Sequence, residues 1–261
     1  MLSNSESCYN VSKTELNLLE TIDVQFLRRI LKAPISTPKE MLFLELGCVP
    51  FRHLIRKRRI YFLHHILNED KDSMMFKFLQ TQLKNKRPKD WITQVLKDLE
   101  DLRINLSLDD IKELKKSELK NIVNKAVMDK AYEDLTKLKE SHSKVMKVKH
   151  FKLEMQKYLK SNPIKISQEE AQMIFKLRSR VTDVKINQRG KYEEYECALC
   201  KKEDESQKHI MECEELDKFK KKNTKPPEYE KLFDGSVKEL QELSQHFIEN
   251  MKTKEKLEKN V

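Results

Sequence analysis

Near its C-terminal end the chain carries Cys197-Ala198-Leu199-Cys200 and, one loop later, His209-Ile210-Met211-Glu212-Cys213, a C-x2-C-x8-H-x3-C pattern. Two cysteines three apart can share one tight turn and aim both sulfurs at a common centre. A His and a Cys at i, i+4 lie on one face of a helix. The loop between the pairs is long enough to fold one over the other. Three thiolates and an imidazole suit one tetrahedral Zn2+ and leave no position for water, so the spacing predicts a structural metal site. The alternative is four unrelated residues brought near one another by chance.

The rest of the composition points to helices. With only 3 Gly and 7 Pro among 261 residues, and 37% of them charged, tight turns are scarce and long helices favoured. Hydrophobic residues make up 38%, low for a deep core. The expected fold is therefore all-α, an extended multi-helix array with a small zinc-knuckle module near the C-terminus. Residues 1–13 read as a flexible N-terminus, 14–182 as the helical region, 183–222 as the knuckle module, and 223–261 as a linker and C-terminal helix. Residues 1–13 lack the apolar core of a signal peptide, and no apolar run reaches membrane-spanning length. Five cysteines, three of them bunched with a His, fit a reducing, intracellular compartment, nucleus or cytoplasm.

Capping signals punctuate the chain. Ser12-Lys13-Thr14-Glu15, Thr37-Pro38-Lys39-Glu40 and Ser167-Gln168-Glu169-Glu170 each match a capping box. The first opens a helix with a stripe through Leu16, Leu19, Val24, Leu27, Ile30 and Leu31. Gly47 is placed to end the second helix in a left-handed conformation. Pro50 opens a helix whose expected buried face is Phe51, Leu54, Ile55, Phe62, Leu63 and Ile66. Trp91 anchors a helix continuing through Val95 and Leu99, as core or as a base-stacking platform. Ser107 with Asp109 and Asp110 reads as a helix start, where acidic side chains complement the dipole, and not as a catalytic Asp pair. Long helices are expected over 117–139 and 236–258. Tyr192 and Tyr195 either shield the knuckle or stack on bases.

The formal net charge of +10 favours polyanionic partners. Positive charge gathers in three places: Arg52, Arg56, Lys57 and Arg59; Lys144, Lys147, Lys149 and Lys152; and Lys220, Lys221 and Lys222. Each group reads either as a phosphate-tracking surface or as an ordinary solvated face, the first one packing on carboxylates such as Glu40 and Glu45.

The run from Ile35 to Phe51, with Leu44-Glu45-Leu46-Gly47-Cys48-Val49-Pro50 at its centre, followed by Ile55, Arg58-Arg59 and Leu63, resembles the segment after the polymerase core of non-LTR (LINE-like) retrotransposon reverse transcriptases. In that family a helical thumb and linker lead to a Cys-Cys-His-Cys knuckle, in the order found here. The resemblance covers roughly Leu18 to the C-terminus and is looser in the Lys-rich helices between the two motifs. It implies a role in holding RNA or DNA, mainly through phosphates, with no small-molecule substrate and no membrane. The polymerase Asp pair and the endonuclease carboxylates of the family find no counterpart. The expectation is thus a non-catalytic, C-terminal piece of such an element. Two other readings stay open: a helical protein-interaction scaffold in which zinc is only a staple, and a decayed reading frame without selected function.

Overall fold

The computed structural model describes residues 11–85, 87–137, 152–160, 166–188, 190–219 and 226–259. Among them the chain is all-α, with an isolated β-bridge between Glu196 and Asp204. The helices are α1 Lys13–Leu31, α2 Lys39–Leu46, α3 Phe51–Leu67, α4 Met74–Asn85, α5 Trp91–Asp101, α6 Leu108–Glu113, α7 Lys116–Lys137, α8 Gln168–Arg178, α9 Gln207–Glu212, α10 Glu214–Asp217, α11 Lys231–Asp234 and α12 Val237–Glu258.

Where one residue decides a helix end, the local signal is obeyed. Ser107 Oγ accepts from the Asp110 amide while the Asp110 carboxylate accepts from Ser107 N–H, so the Asp pair is a cap. Ser167 with Glu170 and Ser236 with Glu239 close the same reciprocal box. Ser12 and Glu15 do so at α1. Each such cap is worth about 1 kcal/mol. Gly47 ends α2 at φ 63°, its N–H donating to the Phe43 carbonyl. A Cβ there would also lie 2.1 Å from the Met155 amide nitrogen, so two independent constraints demand glycine. The box expected at Thr37 does not form: Pro38 takes the N-cap position without any side-chain cap bond, and Thr37 Oγ1 is buried without a partner.

The chain divides into two compact units, residues Met1–Gln25 with Cys48–Leu138, and Phe26–Gly47 with Lys139–Val261. This differs from the expected segmentation, which kept 14–182 together and set the knuckle apart. The reason is packing: the Cys197–Cys213 segment shares one hydrophobic core with α8 and α12.

In the first unit α3 packs against α4, α5, α6 and α7. Ile60, Leu63, Trp91, Val95, Ile111 and Val123 form the centre of its core. Trp91 is a core residue, meeting Phe62 edge-on at 5.6 Å between ring centroids. The buried face of α3 is rotated from the expected one. It holds His53, Ile55, Arg59, Ile60, Leu63, Ile66 and Leu67, while Phe51, Leu54 and Phe62 are half-buried. Polar type suggested that Arg59 faces out; its partner, on α5, turns it in.

In the second unit α12 is the hub, packed on α8, α9 and α11. Phe247, Leu243 and Leu240 on α12 meet Ile174 and Leu177 on α8 and Ile210 and Met211 on α9. A buried polar group sits in the same unit. Glu45, fully buried, takes an ion pair from Arg178 Nε at 2.9 Å and a hydrogen bond from the Tyr158 hydroxyl. Burial pushes the Glu45 carboxyl up, against the pull of Arg178 and Tyr158. Arg178 also donates to the Leu232 carbonyl at 2.6 Å and lies between the Tyr158 and Phe233 rings.

Candidate metal centre

The segment before α9 folds back on itself through short backbone bonds. Glu205 N–H donates to the Tyr195 carbonyl at 2.7 Å, and Cys197 N–H to the Glu203 carbonyl at 2.8 Å. Within this ribbon, Lys201 N–H closes on the Cys197 carbonyl at 3.0 Å. Lys201 adopts φ 52°, a left-handed turn residue, at a cost of roughly 1 kcal/mol for a side chain other than glycine. The turn aims amides at sulfur. The Leu199 and Cys200 N–H groups point at Cys197 Sγ, and those of Lys202 and Glu203 at Cys200 Sγ. Burial pushes the Cys197 thiol up to about 11, despite those amides. At Cys200 burial works in the same sense but loses: the amides, with hydrogen bonds from Cys197 and Cys213, hold this thiol below its ordinary value. A cation is what brings such a set of sulfurs to the thiolate form together.

Ser206 opens α9 by accepting from the His209 amide at 3.0 Å. That cap sets the first turn, so His209 and Cys213, one turn apart, face the sulfur pair. His209 Nε2 lies 3.3 Å from Cys200 Sγ. The ligand atoms of Cys197, Cys200, His209 and Cys213 all fall within 4.8 Å of one another. A tetrahedron with metal–sulfur bonds of about 2.3 Å needs sulfurs about 3.8 Å apart, so the four need only a small contraction to close on one ion. The other ring nitrogen, Nδ1, is 3.2 Å from Glu203 Oε2. An imidazole ligating through Nε2 would donate Nδ1–H to this carboxylate, which orients the ring and raises its basicity. The Cys3His group can hold a metal ion, and its donors are soft or borderline.

The surroundings hold the ligands from behind. Asn250 Nδ2 on α12 donates to the Ile210 carbonyl at 2.6 Å, and His246 Nε2 lies 3.1 Å from that of Met211. These are end-of-helix carbonyls of α9 that would otherwise lack partners. Gln207 bridges Thr182 Oγ1 at 2.7 Å and the Tyr229 hydroxyl at 2.8 Å. Glu205, almost fully buried, pairs with Lys254 of α12 at 2.8 Å. Tyr192 does not roof the site; it is exposed, with the Lys185 and Lys191 ammoniums over its ring.

The expected basic groups fare differently. Arg52 pairs with Glu20. Arg56 pairs with Asp101 at 2.8 Å and stands 3.6 Å from Asp98. Arg59 is buried against Asp98 at 2.8 Å. These arginines meet carboxylates of α1 and α5, not the expected Glu40 and Glu45. Lys57 is half-buried, its ammonium 5.9 Å from the Tyr61 ring centroid, and Lys152 is exposed. Lys144, Lys147, Lys149, Lys220, Lys221 and Lys222 lie outside the described residues.

A different basic surface escaped the sequence reading. A hollow of about 400 Å3 in the first unit is lined by Arg58, Tyr61, Phe62, His64, His65 and Asn68 of the α3 end and by Lys116, Leu119 and Lys120 of α7. Arg58, Tyr61, Phe62 and His65 share one face of α3, and Lys116 and Lys120 one face of α7. The i, i+4 lysines were the available signal; that they face an aromatic-basic helix was not.

No protein-family model, no curated protein and no solved structure matches the chain. Among the described residues, fold and site define an all-α chain with a Cys3His group that could hold a metal ion. Among the described residues no helix is long and apolar enough to cross a membrane.

Proposed function

We propose that the chain is a non-catalytic nucleic-acid-binding protein, stapled by one structural Zn2+ and related to the region after the polymerase core of non-LTR retrotransposon reverse transcriptases. Three thiolate donors and one imidazole favour zinc over harder ions. The observation that carries the binding role is the hollow between α3 and α7. It offers Lys116 and Lys120 to phosphates and Tyr61, Phe62 and two histidines to bases. The interaction-scaffold reading is favoured by one observation, the internal pairing of Arg52, Arg56 and Arg59.

Titration of single-stranded RNA and duplex DNA across salt concentrations, near the physiological value, separates the two. Phosphate contacts make log K fall linearly with log salt. Replacing Lys116 and Lys120 by Gln is expected to lower affinity and to reduce the slope by about 1.4 on single strands and 1.8 on duplex. Binding that vanishes at physiological salt, or a variant that binds like the parent, would give the scaffold reading the argument.

A further inference from the structure

Helix α1 has two apolar faces. One carries Leu27 and Leu31, both buried. The opposite one carries Leu18, Ile22, Phe26 and Ile30, and these are 62%, 56%, 61% and 43% exposed. At 100° per residue, positions four apart drift slowly around the helix, so the four form a continuous stripe turned to solvent. Two charged residues fall inside it in projection: Glu15 between Ile22 and Phe26, and Arg29 between Leu18 and Ile22. Both are exposed.

The order along the stripe is self-complementary. Leu18 and Phe26 are equidistant from Ile22, and so are Glu15 and Arg29. A two-fold axis through Ile22 would lay a second α1 antiparallel on the first. Ile22 would then meet its own copy, Leu18 would meet Phe26, and Glu15 would meet Arg29, each contact made twice. A parallel pair would set Glu15 against Glu15 and Arg29 against Arg29. From charge complementarity and apolar exposure together, we infer that the outward face of α1 is a homodimer contact, with a second copy of this chain packed antiparallel across Ile22.

One helix face buries an area at the small end of specific interfaces, so the dimer is reversible and concentration-dependent. Leu and Ile knobs at near-antiparallel crossing give helix axes about 8–10 Å apart. The two Glu15–Arg29 pairs lie at the two axial ends of the contact, where they select register more than they add affinity, and added salt weakens them.

Sedimentation velocity of the whole metal-loaded chain at low salt, across the micromolar range, tests this. The parent is expected to shift from monomer to dimer. Ile22→Glu places two carboxylates on the axis and is expected to remain monomeric, with unchanged helicity by circular dichroism. Glu15→Arg and Arg29→Glu, each alone, set like charges opposite one another and are expected to weaken dimerisation about tenfold. An equimolar mixture of the two is expected to regain the parental dimer, because each chain then supplies what the other lacks. The mixture also controls for loss of the Ser12 cap in the Glu15 variant. A parent that stays monomeric, a dimer that survives Ile22→Glu, or a mixture no better than its components would overturn the proposal.

Discussion

Arg59 is the residue on which phosphate binding and internal architecture make opposite demands. Its guanidinium lies 2.8 Å from Asp98 Oδ2, and both side chains are buried. Asp98 Oδ1 accepts from Gln94 Nε2 at 3.1 Å, and Arg56 Nε stands 3.6 Å away. Arg59→Met removes the short charge-assisted bond and leaves a buried carboxylate with one neutral donor and one distant cation. Breaking a buried pair from one side costs about 3–5 kcal/mol, and Arg56 nearby places this case at the lower end, about 3 kcal/mol. That corresponds to a drop of about 1–2 M in the urea midpoint. Trp91, the only tryptophan of the chain, sits in the same core and on the same helix as Asp98, so its fluorescence reports the loss. The double variant Arg59→Met/Asp98→Leu removes both charges and is expected to recover most of the stability. Nucleic-acid affinity and its salt slope are expected to stay at parental values in both variants wherever they are folded. An Arg59→Met chain of parental stability with a shallower salt slope would refute the reasoning and restore Arg59 to the phosphate surface.

Three further outcomes are expected. Elemental analysis is expected to find one Zn2+ per chain, and Cd2+ substitution to give thiolate charge-transfer bands that fade with Cys197→Ser and as falling pH protonates the sulfurs. His53, in the core of the first unit, is held down to about 4 by burial first and by Arg56 next, with Asp134 and Glu20 opposing. Between its unfolded value near 6.5 and that folded value the unfolded chain binds the extra proton. Stability by Trp91 fluorescence should therefore fall by about 2 kcal/mol from pH 7 to pH 5, and His53→Leu should flatten the dependence. Lys254→Met leaves Glu205 buried with the Lys185 amide as its remaining donor, at 3.2 Å, and is expected to cost about 3 kcal/mol in thermal unfolding, largely regained by adding Glu205→Leu.

The parts of this structure that were legible in the sequence are those decided within one turn of chain. Ser107, Ser167 and Gly47 act through bonds to residues three or four away, so their neighbours in sequence were enough. The clustering of Cys197, Cys200, His209 and Cys213 was legible for the same reason: each pair is local, and only the closing loop had to be supplied. Charge partners were not. Asp98 is distant in sequence from Arg59, Arg178 from Glu45, and Lys254 from Glu205. Charged residue types are mostly surface groups, and only tertiary packing makes these six interior ones. The stripe on α1 misled for a related reason. Periodicity shows that a helix has apolar residues on a face, and Ile30 was placed on one stripe with Leu27 and Leu31, but 43% of it is exposed because Leu27 and Leu31 form the buried side.

Cys197 and Cys213 belong to the same packed cluster as Leu177 of α8 and Phe247 of α12. A minimal knuckle has no such backing, and its metal must provide nearly all of its order. Here a bound ion would close one wall of a room whose other walls are already standing. Chelation should then act like removal of a keystone from a buttressed arch: hydrogen exchange would quicken in the Cys197–Cys213 ribbon while the amides of α8 and the middle of α12 stay slow. Rebinding would start from a largely assembled cradle, so uptake should be fast and should release little heat from refolding. The metal in this chain would thus act less as a folding trigger than as a lock on the position of one short ribbon.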